Sequence, residues 1–165
     1  MKDEPVIEAW LEQRRALGQD GRDEFWEGVL HVARHEHSRN GVVVSQLVTR
    51  LHDAARRAGL QAGGSFNLGD AGNHRIPDLG YHRTRDYATY MPTAPLVVEV
   101  LSPGDETYAK FDFYAQHGVD ELWVVDPLER TVKIFTLAGD RYQDTVHSQL
   151  LDLAASWVAD QLEWP

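Results

Sequence analysis

Asp78, Glu99 and Lys110 are the residues of this 165-residue chain whose types and surroundings could do chemistry. Glu99 interrupts an otherwise apolar run, PLVVEVLSP from Pro95 to Pro103. A carboxylate in such a run is costly to bury unless it is paired, ligated or neutralised. Asp78 stands upstream in RIPDLGYH, and Lys110 is the only lysine between Lys2 and Lys133. Two carboxylates suit a hard cation: magnesium takes one or two of them, keeps several waters and holds oxygen at about 2.0–2.1 Å. The backbone carbonyl of Val100 can complete the protein's share, while Lys110 can orient a water or stabilise a pentavalent phosphorane. Such a set would hydrolyse a phosphodiester, because the cation neutralises charge on the phosphate and acidifies the attacking water. Plainer readings of the same residues stay open. An Asp after Pro is often a turn residue, Glu99 can pair with an arginine, and Lys110 can be an exposed helix lysine.

Glu27, in DEFWEGVLHV, is either an outer acid of the same site or a surface acid in a turn. HVARHEHSRN gathers His31, His35 and His37 beside Arg34 and Arg39. No zinc spacing is clean there and the chain has no cysteine, so a loop whose His and Arg side chains approach a substrate phosphate, or face water, is preferred to a histidine metal site. The lack of cysteine also removes disulfides and thiolate catalysis.

A net charge of −10 argues against a broad nucleic-acid-binding surface, because such affinity comes largely from Lys and Arg neutralising phosphates. The charge is uneven, however. Residues 34–85 hold eight arginines against four acids, whereas residues 86–165 hold four basic groups against fourteen acids. The middle third, which contains Asp78, is the region that could face a phosphate, although Arg50, Arg56 and Arg57 also fit a solvated helix face. No stretch approaches the roughly 20 apolar residues of a membrane helix, and MKDEPVIEAW lacks the basic-then-apolar order of a signal peptide, so the expectation is a cytoplasmic protein. The length predicts one domain over residues 1–165.

The elements that must position these residues follow from periodicity. Glu4 to Leu17 predicts a short amphipathic helix stopped by Gly18, and Phe25 to Val32 a strand or a hairpin pivoting at Glu27-Gly28. A long helix from Ser38 or Asn40 carries Val43, Leu47, Leu51, Ala54, Ala55 and Ala58 on one stripe and ends at Gly59. Ser65 to Leu68 predicts a strand. In a strand from Arg75 to His82, starting late because of Pro77, Ile76, Asp78, Gly80 and His82 would share a face, and the loop on to Pro95 could act as a flap. Residues 95–101 read as a central strand buried on both faces. Asp105 is a fair cap for a helix to about His117 that places Glu106, Lys110 and Tyr114 on one side. Glu121 to Pro127 predicts a second central strand, Thr131 to Leu137 its hairpin partner, and Leu150 to Trp164 a final helix. The sum is a layered α/β or α+β fold.

RIPDLGYH, PLVVEVLSP and Lys110 followed by FDFYAQHGVDELWVVDP resemble the Uma-type endonuclease family of the restriction-endonuclease-like PD-(D/E)xK superfamily. DEFWEGVLHV and the helix near 40–58 extend the likeness over most of residues 20–137. The resemblance implies a restriction-endonuclease-like core of α-β-β-β-α-β type, with a mixed central sheet flanked by helices. It further implies metal at Asp78 and Glu99, Lys110 as the catalytic lysine, DNA as substrate, Mg²⁺ replaceable by Mn²⁺ as cofactor, and a homodimer. Three positions depart from the family pattern. Leu101 stands where the superfamily motif places lysine, Glu106 where relatives commonly carry Asp, and the histidine near the first core helix is assigned to His37 rather than His35. Two other readings use the same residues: a nuclease-fold protein that only binds, and a metal-free hydrolase using Glu99 and Asp78 as an acid/base pair.

Overall fold

The computed structural model describes residues 4–33, 37–84 and 87–165. The chain runs α1 (Glu4–Ala16), β1 (Glu24–Trp26), β2 (Val29–His31), α2 (Ser38–Arg50), α3 (His52–Arg57), β3 (Gln61–Gly64), β4 (Asn67–Asp70), β5 (Asn73–Arg75), β6 (Leu79–His82), β7 (Tyr90–Met91) and β8 (Leu96–Val100). A 3₁₀ turn (Thr107–Lys110) leads into α4 (Phe111–Gln116), followed by β9 (Glu121–Asp126), β10 (Thr131–Ala138), β11 (Arg141–Thr145), β12 (His147–Ser148), β13 (Leu153–Ala154) and α5 (Ala155–Asp160).

The main sheet has six strands in the order β11-β10-β9-β8-β6-β3. Its centre, β8 beside β9, is parallel, with Glu99 opposite Val124, and its other pairs are antiparallel. All five residues of β8 are buried, as a near-continuous apolar run predicts. Alternation sends Leu96, Val98 and Val100 to one face, where they pack with Trp123, Val125, Tyr81 and the α2–α3 stripe of Val43, Leu47, Leu51, Ala54 and Ala55. Val97 and Leu122 face the other way, onto Leu68, Phe113, Tyr114 and Val119. Glu99, two residues from Val97, therefore faces the layer that contains α4.

A second sheet, β2-β1-β5-β4-β7, flanks the first. Its β1–β2 hairpin turns on Glu27 (φ 52°) and Gly28 (φ 86°). Both central residues of a two-residue turn that matches the right-handed strand twist need positive φ, and the glycine supplies one without strain.

Several predicted elements are adjusted. The helix expected from Ser38 to Ala58 is divided at Leu51 into α2 and α3, although Ala55 N still bonds to Leu51 O at 2.9 Å across the junction. His37 caps α2, its Nδ1 accepting from the Arg39 amide. The strand expected from Arg75 to His82 is two strands, β5 and β6, in different sheets, because Ile76–Asp78 carries the chain from one to the other around Pro77. The helix expected from Asp105 to His117 begins as 3₁₀, with Asp105 Oδ1 accepting from the Thr107 amide at 3.0 Å. The final helix is limited to Ala155–Asp160, since Leu150–Asp152 form a turn, with Asp152 at φ 55°. Among the described residues, no helix is long and apolar enough to cross a membrane.

Candidate active site

Three elements bring two carboxyl groups and an ammonium together at the end of β8. Glu99 is fixed by the strand. Asp78 immediately precedes β6, whose Leu79 pairs with Val98, so Asp78 comes alongside Glu99, and its Oδ2 accepts from the Val100 amide at 2.7 Å. Lys110 ends the 3₁₀ turn that lies over this face, and its Nζ donates to Glu99 Oε1 at 3.2 Å. The sequence thus spreads over 33 positions a set that the fold gathers into one cleft of about 210 Å³.

Glu24 and Tyr114, which the sequence reading did not assign to the site, bond directly to Lys110 and Glu99. Glu24 on β1 accepts through Oε1 from Lys110 Nζ at 3.0 Å and from the Ile76 amide at 2.7 Å, while its Oε2 accepts from Trp26 Nε1 at 2.6 Å. Tyr114, one turn after Lys110, donates its hydroxyl to Glu99 Oε1. Glu99 Oε1 is therefore committed to Lys110 and Tyr114. Lys110 retains one N–H beyond its two carboxylate bonds. Tyr114 was visible at helical spacing from Lys110. Glu24 lies in a strand of three residues, too short to show a face by itself, yet period two from Trp26 puts it on that tryptophan's face of β1.

Glu27 sits elsewhere. It occupies the exposed hairpin turn, donates its amide to Asn73 Oδ1 at 3.2 Å and does not line the cleft. The acid that the hairpin contributes is Glu24, because a strand residue points into the cleft whereas the turn has left the alternation. His37, at the start of α2, does not line the cleft either. His35 lies outside the described residues. His31 does line it, stacked on Trp26 with ring centroids 3.9 Å apart and with Nδ1 3.4 Å from Glu106 Oε2.

Burial raises the Glu99 carboxyl to about 7, against the opposing pull of Lys110 and with Asp78 adding to the rise. Burial works against the Lys110 ammonium, but Glu99 and Glu24 together outweigh it and its pKa ends above the ordinary value. Lys110 is thus a fixed positive charge and hydrogen-bond donor, not a base. Tyr114, buried beside Glu99, is held well above its usual range and stays a neutral donor.

The donor set suits a hard divalent cation: carboxylate oxygens of Asp78 and Glu99 and the carbonyl of Val100, with no thiolate. The Val100 carbonyl accepts from Asn40 Nδ2 at 3.2 Å and has a second lone pair. Among the described residues, no three His, Asp or Glu side chains form a cluster able to hold a metal unaided.

The Uma2 family, described as a putative restriction endonuclease, matches residues 8–161. The crystal structure of a putative nuclease belonging to DUF820 from Anabaena variabilis superimposes with a TM-score of 0.65 at 16% identity, covering 84% of this chain and 90% of that one. No curated protein matches the chain. At that identity the superposition speaks for the fold, a mixed sheet flanked by helices. With the family match spanning nearly the whole sequence, the chain belongs to the Uma2 putative restriction endonuclease family.

Proposed function

We propose that the cleft hydrolyses phosphodiester bonds in DNA with a divalent cation, Mg²⁺ or in its place Mn²⁺, held by Asp78, Glu99 and the Val100 carbonyl. The observation that carries this reading is the meeting of Asp78, Glu99 and Lys110 in one cleft on three different elements. A bound cation would supply Lewis-acid neutralisation of the phosphate and a more acidic water. The chain's own contribution is positional. Lys110, fastened by Glu24 and Glu99, offers its remaining N–H to a phosphoryl oxygen as negative charge develops there. Tyr114 keeps Glu99 in one rotamer, and Asn40 braces the Val100 carbonyl through donations to it and, at 2.9 Å, to Ser102 Oγ. A homodimer completes the proposal and is read by analytical ultracentrifugation.

The test is cleavage of plasmid and oligonucleotide DNA with Mg²⁺ or Mn²⁺ by the wild type and by Asp78→Asn, Glu99→Gln and Lys110→Met. The reading expects metal-dependent cleavage by the wild type that falls by at least about a hundredfold in each variant, the usual effect of removing a transition-state contact. Cleavage that survives all three substitutions would refute it. A second reading, a binding protein with no useful turnover, is favoured by one feature. Both carboxylate contacts of Lys110 are made within the protein, so its charge is already largely neutralised. That reading predicts metal binding without cleavage.

A further inference from the structure

Arg22 is fixed at its backbone and extended into the cleft at its head. The next residue, Asp23, is buried and accepts from Arg14 Nη2 at 2.7 Å and from the Ala33 amide at 2.8 Å, and its own amide bonds to Asp20 O at 2.9 Å. The Arg22 side chain, by contrast, is 42% exposed, lines the cleft, and donates from Nη2 to Asp78 Oδ1 at 3.1 Å. The other Asp78 oxygen is tied to the Val100 amide between adjacent strands. The guanidinium thus stands on Oδ1, the Asp78 oxygen that does not take the Val100 amide.

A divalent ion at Asp78 meets this guanidinium both as a competitor for the oxygen and as a like charge a few ångströms away. The arginine has somewhere to go. Its stem is long, its anchor is rigid, and its planar fork matches the non-bridging oxygens of a phosphate.

We infer that Arg22 is a two-position cation: it caps Asp78 Oδ1, yields that oxygen when a divalent ion binds, and then pairs with a non-bridging oxygen of the phosphodiester. The second position rests on the phosphodiesterase reading. The first rests only on metal binding at Asp78.

Two titrations of the full chain test it. In calorimetry with Mn²⁺, Arg22→Ala should bind about tenfold tighter than the wild type, the scale of one partly exposed charge pair, because the competitor is gone. Arg22→Lys, which keeps the charge, should remain within about threefold of the wild type, and Asp78→Asn should lose binding. In the second titration, a short duplex oligonucleotide in Ca²⁺ should bind about tenfold more weakly to Arg22→Ala, and Arg22→Lys should recover only part of that loss because it cannot make the forked contact. Mn²⁺ affinity that is unchanged or reduced in Arg22→Ala, with the wild type binding normally, overturns the inference and leaves the metal site standing. An oligonucleotide affinity unaffected by Arg22→Ala removes the second position. A wild type that binds no Mn²⁺ refutes the metal site itself and the inference with it.

Discussion

Replacing Lys110 by methionine keeps the buried stem and deletes the charge, so its cost should depend on pH in a direction fixed by Glu99. Breaking a buried ion pair by removing one partner costs about 3–5 kcal/mol, because the remaining charge is stranded. Here the stranded group can take up a proton. The Glu99 carboxyl, raised from 4.5 to about 7, binds its proton more tightly in the folded than in the unfolded chain. The stabilisation from that proton is fully present below about pH 4.5 and is lost as pH rises through about 7. Without Lys110, which pulls Glu99 down, the folded carboxyl titrates higher still. An opposite charge at hydrogen-bond distance is typically worth about 1–3 pKa units, and each unit is about 1.4 kcal/mol. At about pH 5 Glu99 is protonated in both folded proteins, so the variant is spared this part of the loss. The deficit of Lys110→Met should therefore be larger by about 1–3 kcal/mol near pH 9 than near pH 5. Urea unfolding followed by tryptophan fluorescence measures both ends of the range. Adding Glu99→Gln, which removes the ionisable group, should flatten the difference, and the two substitutions should not be additive. A deficit that is flat with pH, or greater at low pH, would mean that Glu99 and Lys110 are not electrostatically coupled as described.

Asp78→Asn should abolish the thermal stabilisation by Mn²⁺, which for the wild type at a hundredfold excess over Kd amounts to about 2.7 kcal/mol; differential scanning calorimetry with and without the ion reads it. Glu121→Ala should destabilise by about 3 kcal/mol or more without changing Mn²⁺ affinity, because that buried carboxylate accepts from Trp123 Nε1, Ser148 Oγ and the amides of Gln149 and Leu150, well away from the cleft. Gly80→Ala should cost about 1–3 kcal/mol in the same denaturation assay, since a Cβ there would lie 2.3 Å from Phe66 Cε1 and 2.8 Å from His82 Nε2.

The parts of the fold legible in the sequence are those with an unambiguous period or turn signal. Leu96–Val100, apolar but for Glu99, and Glu121–Asp126, apolar between its terminal acids, form the parallel centre of the main sheet. Gly28 after Glu27 marks the pivot of the hairpin, where both residues take positive φ. The second sheet was hidden for an equally physical reason. Its strands are two to four residues long, too short for any period to show, and one pairing, β4 with β7, joins segments that have β5 and β6 between them in the chain. Glu121 looked like the first residue of a strand. What distinguishes it is a set of donors some twenty-seven residues further on, which no local pattern announces. The site divides the same way. Asp78, Glu99 and Lys110 could be picked out by residue type and apolar context, whereas Glu24 depended on which face of a three-residue strand met the cleft.

Glu24 also bears on why the lysine need not follow Glu99 along the strand. At position 101, two residues after Glu99, a lysine would leave β8 on the same face as the carboxylate, and the backbone there is still strand-like, with Leu101 N bonded to Val125 O at 2.9 Å. The strand alone would then aim the charge. Lys110 has no such guide. It arrives from a 3₁₀ turn after the Ser102–Glu106 loop, with a flexible four-carbon stem whose ordering costs rotamer entropy. What restrains it is a second carboxylate on the opposite wall: Glu24, itself held by the Ile76 amide and the Trp26 indole. Trp26 is in turn covered by the Arg75 guanidinium at 4.5 Å from its ring. Moving the lysine from strand to helix thus transfers its positioning from local backbone geometry to the docking of the β1–β2 hairpin against the main sheet, and Glu24, which itself lines the cleft, is the group that holds Lys110 there.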